Sequence, residues 1–383
     1  MHALLFPLGS TGDVLPFVGL GRALRARGHA VTVATNPHFA PLIARAQLDF
    51  APIGSEDEYT ALCDSPRSMD RRHGFRFVMD WASRLMAPMV ELCAAHRSSL
   101  VVAHPLAFGA RLADEQLGLR AATMVLSPAI LGAVDSWLTR FIVYRIVAPE
   151  IRHVLERQRA SAHLALAMFP AWFGDVPRPD QRQLVHAGFP LYDELEREVA
   201  LPVLDERPLV FTAGTGHRHA RAFFAAAADA SRLLGRRAIL LTQHREQLPA
   251  SLPPGVEHAS FLPLSRVLPC AAALVHHGGI GSAAAALAAG VPQLVVPFAH
   301  DQPDNAARLC RLGVAAALSP SRATGRRMAT RLRQLLSSPS VAARCHTLAT
   351  AVRPGIESAC EHLESWADRG AYRRTDSALQ GFA

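Results

Sequence analysis

Lysine is missing from this chain: all 40 basic residues among its 383 are arginine. The bias follows genomic base composition and carries no mechanism. Arginine pairs (Arg71-Arg72, Arg236-Arg237, Arg326-Arg327, Arg373-Arg374) lie spread along the sequence. They lack the aromatic interleaving of a single-strand binder, which argues for solvated surface and against nucleic acid. There is no CxxC pair. Cys63, Cys93, Cys270, Cys310, Cys345 and Cys360 stand far apart, which excludes a disulfide frame or zinc site and leads us to expect reduced thiols in a cytoplasmic protein. No charge-free apolar run reaches the length of a membrane span, Ala121–Val134 being too short. The chain opens directly on a strand, so no signal peptide is expected. Glu56-Asp57-Glu58 is not the DxD that holds a metal-bound diphosphate and reads as a solvated loop.

Half the residues are hydrophobic and 19% are charged, ordinary for a globular enzyme with two cores. The net charge of +8 favours a phosphorylated substrate or an anionic membrane face. Ala3–Leu8 reads as a strand, Gly9-Ser10-Thr11-Gly12 as a glycine turn, Val14–Arg27 as a helix and Ala30–Thr35 as a second strand. That is one βαβ unit of a parallel sheet. The spacing Gly9-x-x-Gly12 is not a dinucleotide fingerprint, and no acidic residue closes the second strand, which excludes NAD or FAD there. Asp13, at the end of the turn, has two readings: helix N-cap, or a carboxylate positioned to accept a proton.

Phe75–Ala95 carries helical spacing, Leu100–His104 reads as a buried strand, Phe108–Leu117 as a helix and Ala122–Leu126 as a strand. Between Pro128 and Pro190, Ile130, Leu131, Trp137, Phe141, Tyr144, Met168, Phe169, Trp172 and Phe173 form either a pocket for an apolar acceptor or ordinary core. The charged stretch 191–207 reads as a linker. The alternation then restarts with strand Leu209–Thr212, turn Gly214-Thr215-Gly216, helix Arg221–Leu234 and strand Ala238–Thr242.

The most informative stretch is Ala273–Gly313. Apolar Ala273–Val275 runs into His276-His277 and the turn Gly278-Gly279-Ile280-Gly281, and Ser282 opens a helix over Ala283–Ala289 that Gly290 ends. Strand Gln293–Val296 leads to His300-Asp301-Gln302. A helix N-terminus behind glycines suits a phosphate, while Asp301 and Gln302 suit hydroxyls. Together they describe a nucleotide-sugar site. His276 or His277 would add a side-chain donor, and as strand neighbours the two face opposite sides.

HHGGIGS...GVPQLVVPFAHDQPDNAARL resembles the nucleotide-sugar signature of family 1 glycosyltransferases. The resemblance implies a GT-B fold: two α/β, Rossmann-like parallel-sheet domains facing across a cleft. The expected division is 1–195 for the acceptor domain, 196–207 for the linker and 208–350 for the donor domain. Residues 351–383 form a C-terminal helix, over Ile356–Trp366, and a frayed tail crossing back to the first domain. The opening GSTGDVLP resembles the GSxGDxxP of bacterial relatives, which implies Asp13 as catalytic base beside the loop Gly9, Ser10, Thr11 and Gly12. It also implies diphosphate binding by His277, Gly279, Ile280, Gly281, Ser282 and Thr215, and sugar binding by Asp301 and Gln302. Phe261, with Leu262, falls at the nucleobase, while Leu264 replaces a ribose-binding glutamine.

Within the family, GSTGDVLPFVGLGRALRARGH, FLPLSRVLP and the signature most resemble the rhamnosyltransferase chain of rhamnolipid synthesis. The implied reaction is inverting and metal-independent. It uses TDP-L-rhamnose as co-substrate, a hydroxyalkanoyl lipid as acceptor and no cofactor, with peripheral membrane contact left open. The alternatives are a sterol, carotenoid or polyketide-type acceptor with a UDP- or TDP-hexose, a sugar-nucleotide epimerase, and a non-catalytic helper.

Overall fold

The computed structural model of the protein describes residues 1–65, 74–96, 100–117, 119–135, 164–174, 183–193, 199 and 206–379. Two all-parallel sheets organise them. The first has seven strands in the order β3-β2-β1-β4-β5-β6-β7, built from His2–Phe6, Ala30–Thr35, Asp49–Pro52, Leu100–Ala103, Ala121–Val125, Leu164–Ala167 and Gln183–His186 as β1 to β7. The second has six, β10-β9-β8-β11-β12-β13, from Leu209–Thr212, Ala238–Leu241, Val256–Ala259, Ala273–His276, Gln293–Val295 and Ala315–Ala317 as β8 to β13. In both, the strand order reverses beside the first strand: at β1/β4 and at β8/β11. Crevices at such reversal points, beyond the carboxyl ends of the strands, are where open α/β sheets bind ligands.

Burial on both faces explains why these strands are continuous apolar runs. On β1, Ala3 and Leu5 face a cluster with Phe17, Leu20 and Leu24 of α1 (Thr11–Ala26). Leu4 and Phe6 face Met79, Trp81, Met89 and Phe108 on the other side. These come from α3 (Gly74–Arg84), α4 (Met86–His96) and α5 (Phe108–Leu117). The single helix expected over Phe75–Ala95 is therefore two, parted at Leu85. Glu56-Asp57-Glu58, read as a loop, forms the first turn of α2 (Glu56–Asp64), capped by Ser55; acidic groups there complement the free N–H groups.

The chain crosses between lobes at two places that touch. Gly355 N–H donates to Phe189 O at 2.7 Å, and a Cβ on Gly188 would lie 2.7 Å from Arg353 O. The second crossing leads into α12 (Ile356–Leu379), which runs past the expected end at Trp366 and into the segment expected to fray. Its Ala359, Cys360, Leu363 and Trp366 complete the core around α1. Arg27 binds Glu364 through Nε at 2.8 Å and Nη2 at 2.7 Å. Residues 196–198 and 200–205 of the expected linker 196–207 lie outside the described residues, as do Trp137, Phe141 and Tyr144.

The lobes share an apolar contact. Val125, Leu131, Phe169 and Phe189 pack with Ala284, Leu287 and Leu309. Among the described residues no helix is long and apolar enough to cross a membrane.

Candidate functional site

At the first reversal point, Ser10 caps α1 with an extended backbone, and Asp13 occupies the third helical position. Asp13 Oδ2 accepts from Ser10 N–H at 2.7 Å and Ser10 Oγ–H at 3.0 Å. Gly9 has φ +124, and any Cβ there would collide with Asp13 Oδ2. The glycine is thus required twice, by its conformation and by the carboxylate beside it. Burial raises Asp13 to about 6, Ser10 opposes that rise, and Asp301 across the gap adds to it. The result is a carboxylate with more basicity than a solvated aspartate offers.

His104 follows β4 immediately, and its Nε2 lies 3.9 Å from Asp13 Oδ1. Its Nδ1 accepts from Leu106 N–H at 3.2 Å, so the neutral ring carries its proton on Nε2, towards Asp13. Burial, and then Arg111, push His104 down to about 3; it is an uncharged donor.

At the second reversal point, α8 (Ile280–Ala288) begins at the N-cap Gly279. The amides of Ile280, Gly281 and Ser282 form its first turn and have no carbonyl one turn back. A Cβ on Gly281 would meet nothing within 4 Å, so this end of the helix is open. His276, fully buried, holds the turn from beneath. Its Nδ1 accepts from Gly278 N–H at 3.2 Å, and its Nε2 pairs with Gln293 Oε1 at 3.0 Å. His277 packs between Gly214 and Gly279. Burial, with His276 and His217 nearby, pushes it down to about 3, so it offers a neutral N–H. His217 stacks on Phe298, centroids 4.3 Å apart.

Asp301 caps α9 (Gln302–Arg311), and its Oδ2 accepts from Asn305 Nδ2 at 2.8 Å. Burial raises its pKa against hydrogen bonds from Asn305 and Ser127. Gln302 Oε1 accepts from Phe298 and Ala299 N–H at 2.8 and 3.1 Å, which shapes the loop ahead of Asp301.

Asp13, His104, His277, Ser282 and Asp301 open into one interlobe chamber of about 1080 Å³. On the first lobe, beside Asp13 and His104, its wall has an apolar stretch with Leu62, Val78, Trp81, Phe108 and Ile130; on the second it holds Thr215, His277, Gly281, Ser282 and Asp301. The lobes meet at its rim. A Cβ on Gly216 would lie 3.2 Å from Ser10 Cβ, and Arg218 Nη1 donates to Asp64 Oδ1 at 2.7 Å.

A family model described as glycosyltransferase family 28 N-terminal domain matches residues 4–134. A second, erythromycin biosynthesis protein CIII-like, C-terminal domain, matches residues 233–355. The chain is a glycosyltransferase with the GT-B fold. It is 28% identical to O-mycaminosyltylonolide 6-deoxyallosyltransferase of Streptomyces fradiae, over 96% of this glycosyltransferase and 98% of the relative. It is also 28% identical to TDP-daunosamine transferase DnrS of Streptomyces peucetius, over 84% and 86%. The fold matches spinosyn rhamnosyltransferase SpnG complexed with thymidine diphosphate, with a TM-score of 0.74, 22% identity, and coverage of 95% and 100%. None of these three is named for rhamnolipid synthesis, the branch that the sequence resemblance implied.

In this glycosyltransferase Asp13 is not the N-cap, because Ser10 holds that position and leaves the carboxylate facing the chamber. Ser282 does not open its helix, which starts two residues earlier, because Gly279 takes the extended cap conformation. Gly9, Ser10, Thr11, Gly12, Thr215, Phe261 and Gln302 line the chamber with the residues above. Leu262 also touches it, but is 3% exposed and packs with Val210 and Val267 in the core. His104, Ser127, His217 and Asn305 were not singled out from sequence. Only His104 left a usable signal there, a polar residue ending the apolar strand LVVAH.

Proposed function

We propose that this glycosyltransferase moves a 6-deoxyhexose from a thymidine-diphosphate sugar to a hydroxyl of a bulky apolar acceptor of polyketide type, with inversion. The observation that carries the reading is a shared chamber. The Asp13 carboxylate and the open amides of α8 face it from opposite lobes that touch at Ser10 and Gly216.

Asp13 takes the proton of the acceptor hydroxyl as its oxygen bonds to the anomeric carbon. The bond from that carbon to phosphate oxygen breaks, and thymidine diphosphate leaves with the electron pair. Its charge falls on the Ile280, Gly281 and Ser282 amides and the His277 N–H, donors already in place before reaction. Asp301 and Gln302 hold sugar hydroxyls, and Phe261 borders the base. The apolar wall at Trp81, Phe108 and Ile130 receives the acceptor. The relatives' names support this acceptor class over a hydroxyalkanoyl lipid, while L-rhamnose remains one donor to be tried.

The test incubates the protein with TDP-L-rhamnose, TDP-6-deoxyhexoses and UDP-glucose, each with a macrolide aglycone, a hydroxyacyl lipid or no acceptor. Nucleotide release that requires the aglycone, and that EDTA leaves unchanged, is expected. Isomerised donor in place of release, or release that ignores the acceptor, would overturn the reading.

A further inference from the structure

The geometry points to Asn305 as a positioning residue: with Ser127 of the opposite lobe, it sets the register in which the α8 turn and Asp301 face Asp13. The inference rests on the glycosyl-transfer reading above. Asn305 is wholly buried and Ser127 is 1% exposed, so neither side chain can trade its partners for water. Every polar atom of the Asn305 carboxamide is engaged. Nδ2 donates to Gly278 O at 3.0 Å and to Asp301 Oδ2 at 2.8 Å. Oδ1 accepts from Ser127 Oγ–H at 3.2 Å.

Those partners belong to three parts of the chamber. Gly278, at φ +94, is the turn before the α8 amides. Asp301 is the carboxylate whose charge Asp13 senses. Ser127 lies two residues beyond β5, next to α6 (Pro128–Asp135), whose Ile130 lines the acceptor wall. One amide therefore joins the diphosphate turn, the sugar carboxylate and the acceptor lobe. A shift of the C-lobe against Ser127 moves both donor elements together relative to Asp13, and in-line displacement is sensitive to displacements of this kind.

The two halves of the link separate experimentally. Ser127→Ala cuts only the cross-lobe bond and leaves Asn305 on Gly278 and Asp301. Asn305→Ala cuts all three. Calorimetry with TDP and kcat with the acceptor that drives nucleotide release are measured on the full chain, with Tm recorded for each variant. Ser127→Ala should lower kcat about tenfold or more with TDP affinity within twofold of wild type, and Ser127→Thr should restore most of the rate. Asn305→Ala should weaken TDP binding as well, and adding Ser127→Ala to it should cost nothing further, as expected for one shared link.

A merely structural role would lower Tm and TDP affinity alike in Ser127→Ala and leave kcat unmoved; that result overturns the proposal even if Asn305→Ala fails to fold. Full additivity of the two substitutions overturns it too. A wild type that binds TDP but transfers nothing defeats the glycosyl-transfer reading and the proposal with it. Wild-type turnover equalled by Ser127→Ala defeats the proposal alone.

Discussion

His104 Nε2 stands 3.9 Å from Asp13 Oδ1, with its other ring nitrogen occupied by the Leu106 amide. The two residues follow the two strands that flank the reversal point of the first sheet, Asp13 in the first turn of α1 after β1 and His104 directly after β4. The carboxylate faces the chamber, and the imidazole stands behind it as an oriented, uncharged donor.

At 3.9 Å the Nε2–H is too far for a hydrogen bond, but its dipole points at the carboxylate and favours the ionised form, so removing it should raise the Asp13 pKa. His104→Ala should shift the acid limb of the kcat–pH profile upward from about 6, with roughly a twofold loss at pH 7 that shrinks as pH increases, in keeping with general-base behaviour. A rate–pH series for both proteins decides it; an unmoved limb removes His104 from the mechanism.

Asp13→Asn keeps the shape and can still accept from Ser10, but cannot take a proton. Turnover should fall by about a hundredfold or more, with TDP affinity nearly intact. Stability gives a second readout. Asp13 rises from 3.8 to about 6 in the folded protein, so the fold binds a proton more readily than the unfolded chain between those values. The ionised carboxylate therefore weakens the fold increasingly as pH climbs through that window. Asparagine lacks this dependence. The Tm of Asp13→Asn relative to wild type should rise from pH 4 to pH 7 and level off above it.

Gly279 has φ −62 and ψ 140, a conformation open to alanine, yet its Cβ would strike His277 Nε2. Gly279→Ala should therefore displace the imidazole and leave the α8 amides in place. Calorimetry should show TDP binding weakened by about tenfold, the loss of roughly one hydrogen bond to a charged group, and His277→Ala should match it. A Gly279→Ala protein with wild-type affinity would place the diphosphate elsewhere.

Val78 is half-buried on the apolar wall. Val78→Trp should fill part of the chamber, raising the acceptor KM several-fold while TDP affinity stays put. Equal losses in both would mean that the apolar wall is not a separate acceptor subsite.

Much of this was legible beforehand because buried parallel strands must be apolar on both faces. LLF, LVV, LVF and ALV announced themselves, and glycines marked both turns. Helix starts were less legible. Asp13 and Ser282 each looked like a cap, but the cap lies three residues earlier, at Ser10 and Gly279, because an extended backbone decides it and several nearby residues could supply that. Ser127 and Asn305 were invisible for a different reason. They are 178 residues apart, and nothing local in a serine before a proline, or an asparagine in an amphipathic helix, shows what lies opposite once the lobes meet.

The return of α12 to the first lobe has a consequence for biosynthesis. Ala359, Cys360, Leu363 and Trp366 fill a core that otherwise belongs to residues 3–187, yet they leave the ribosome after the whole second lobe. The nascent first lobe must wait with one flank of α1 uncovered while its neighbour folds. Dividing the gene between the sheets would thus strand an essential wall of one half on the other, and the two halves reach maturity together.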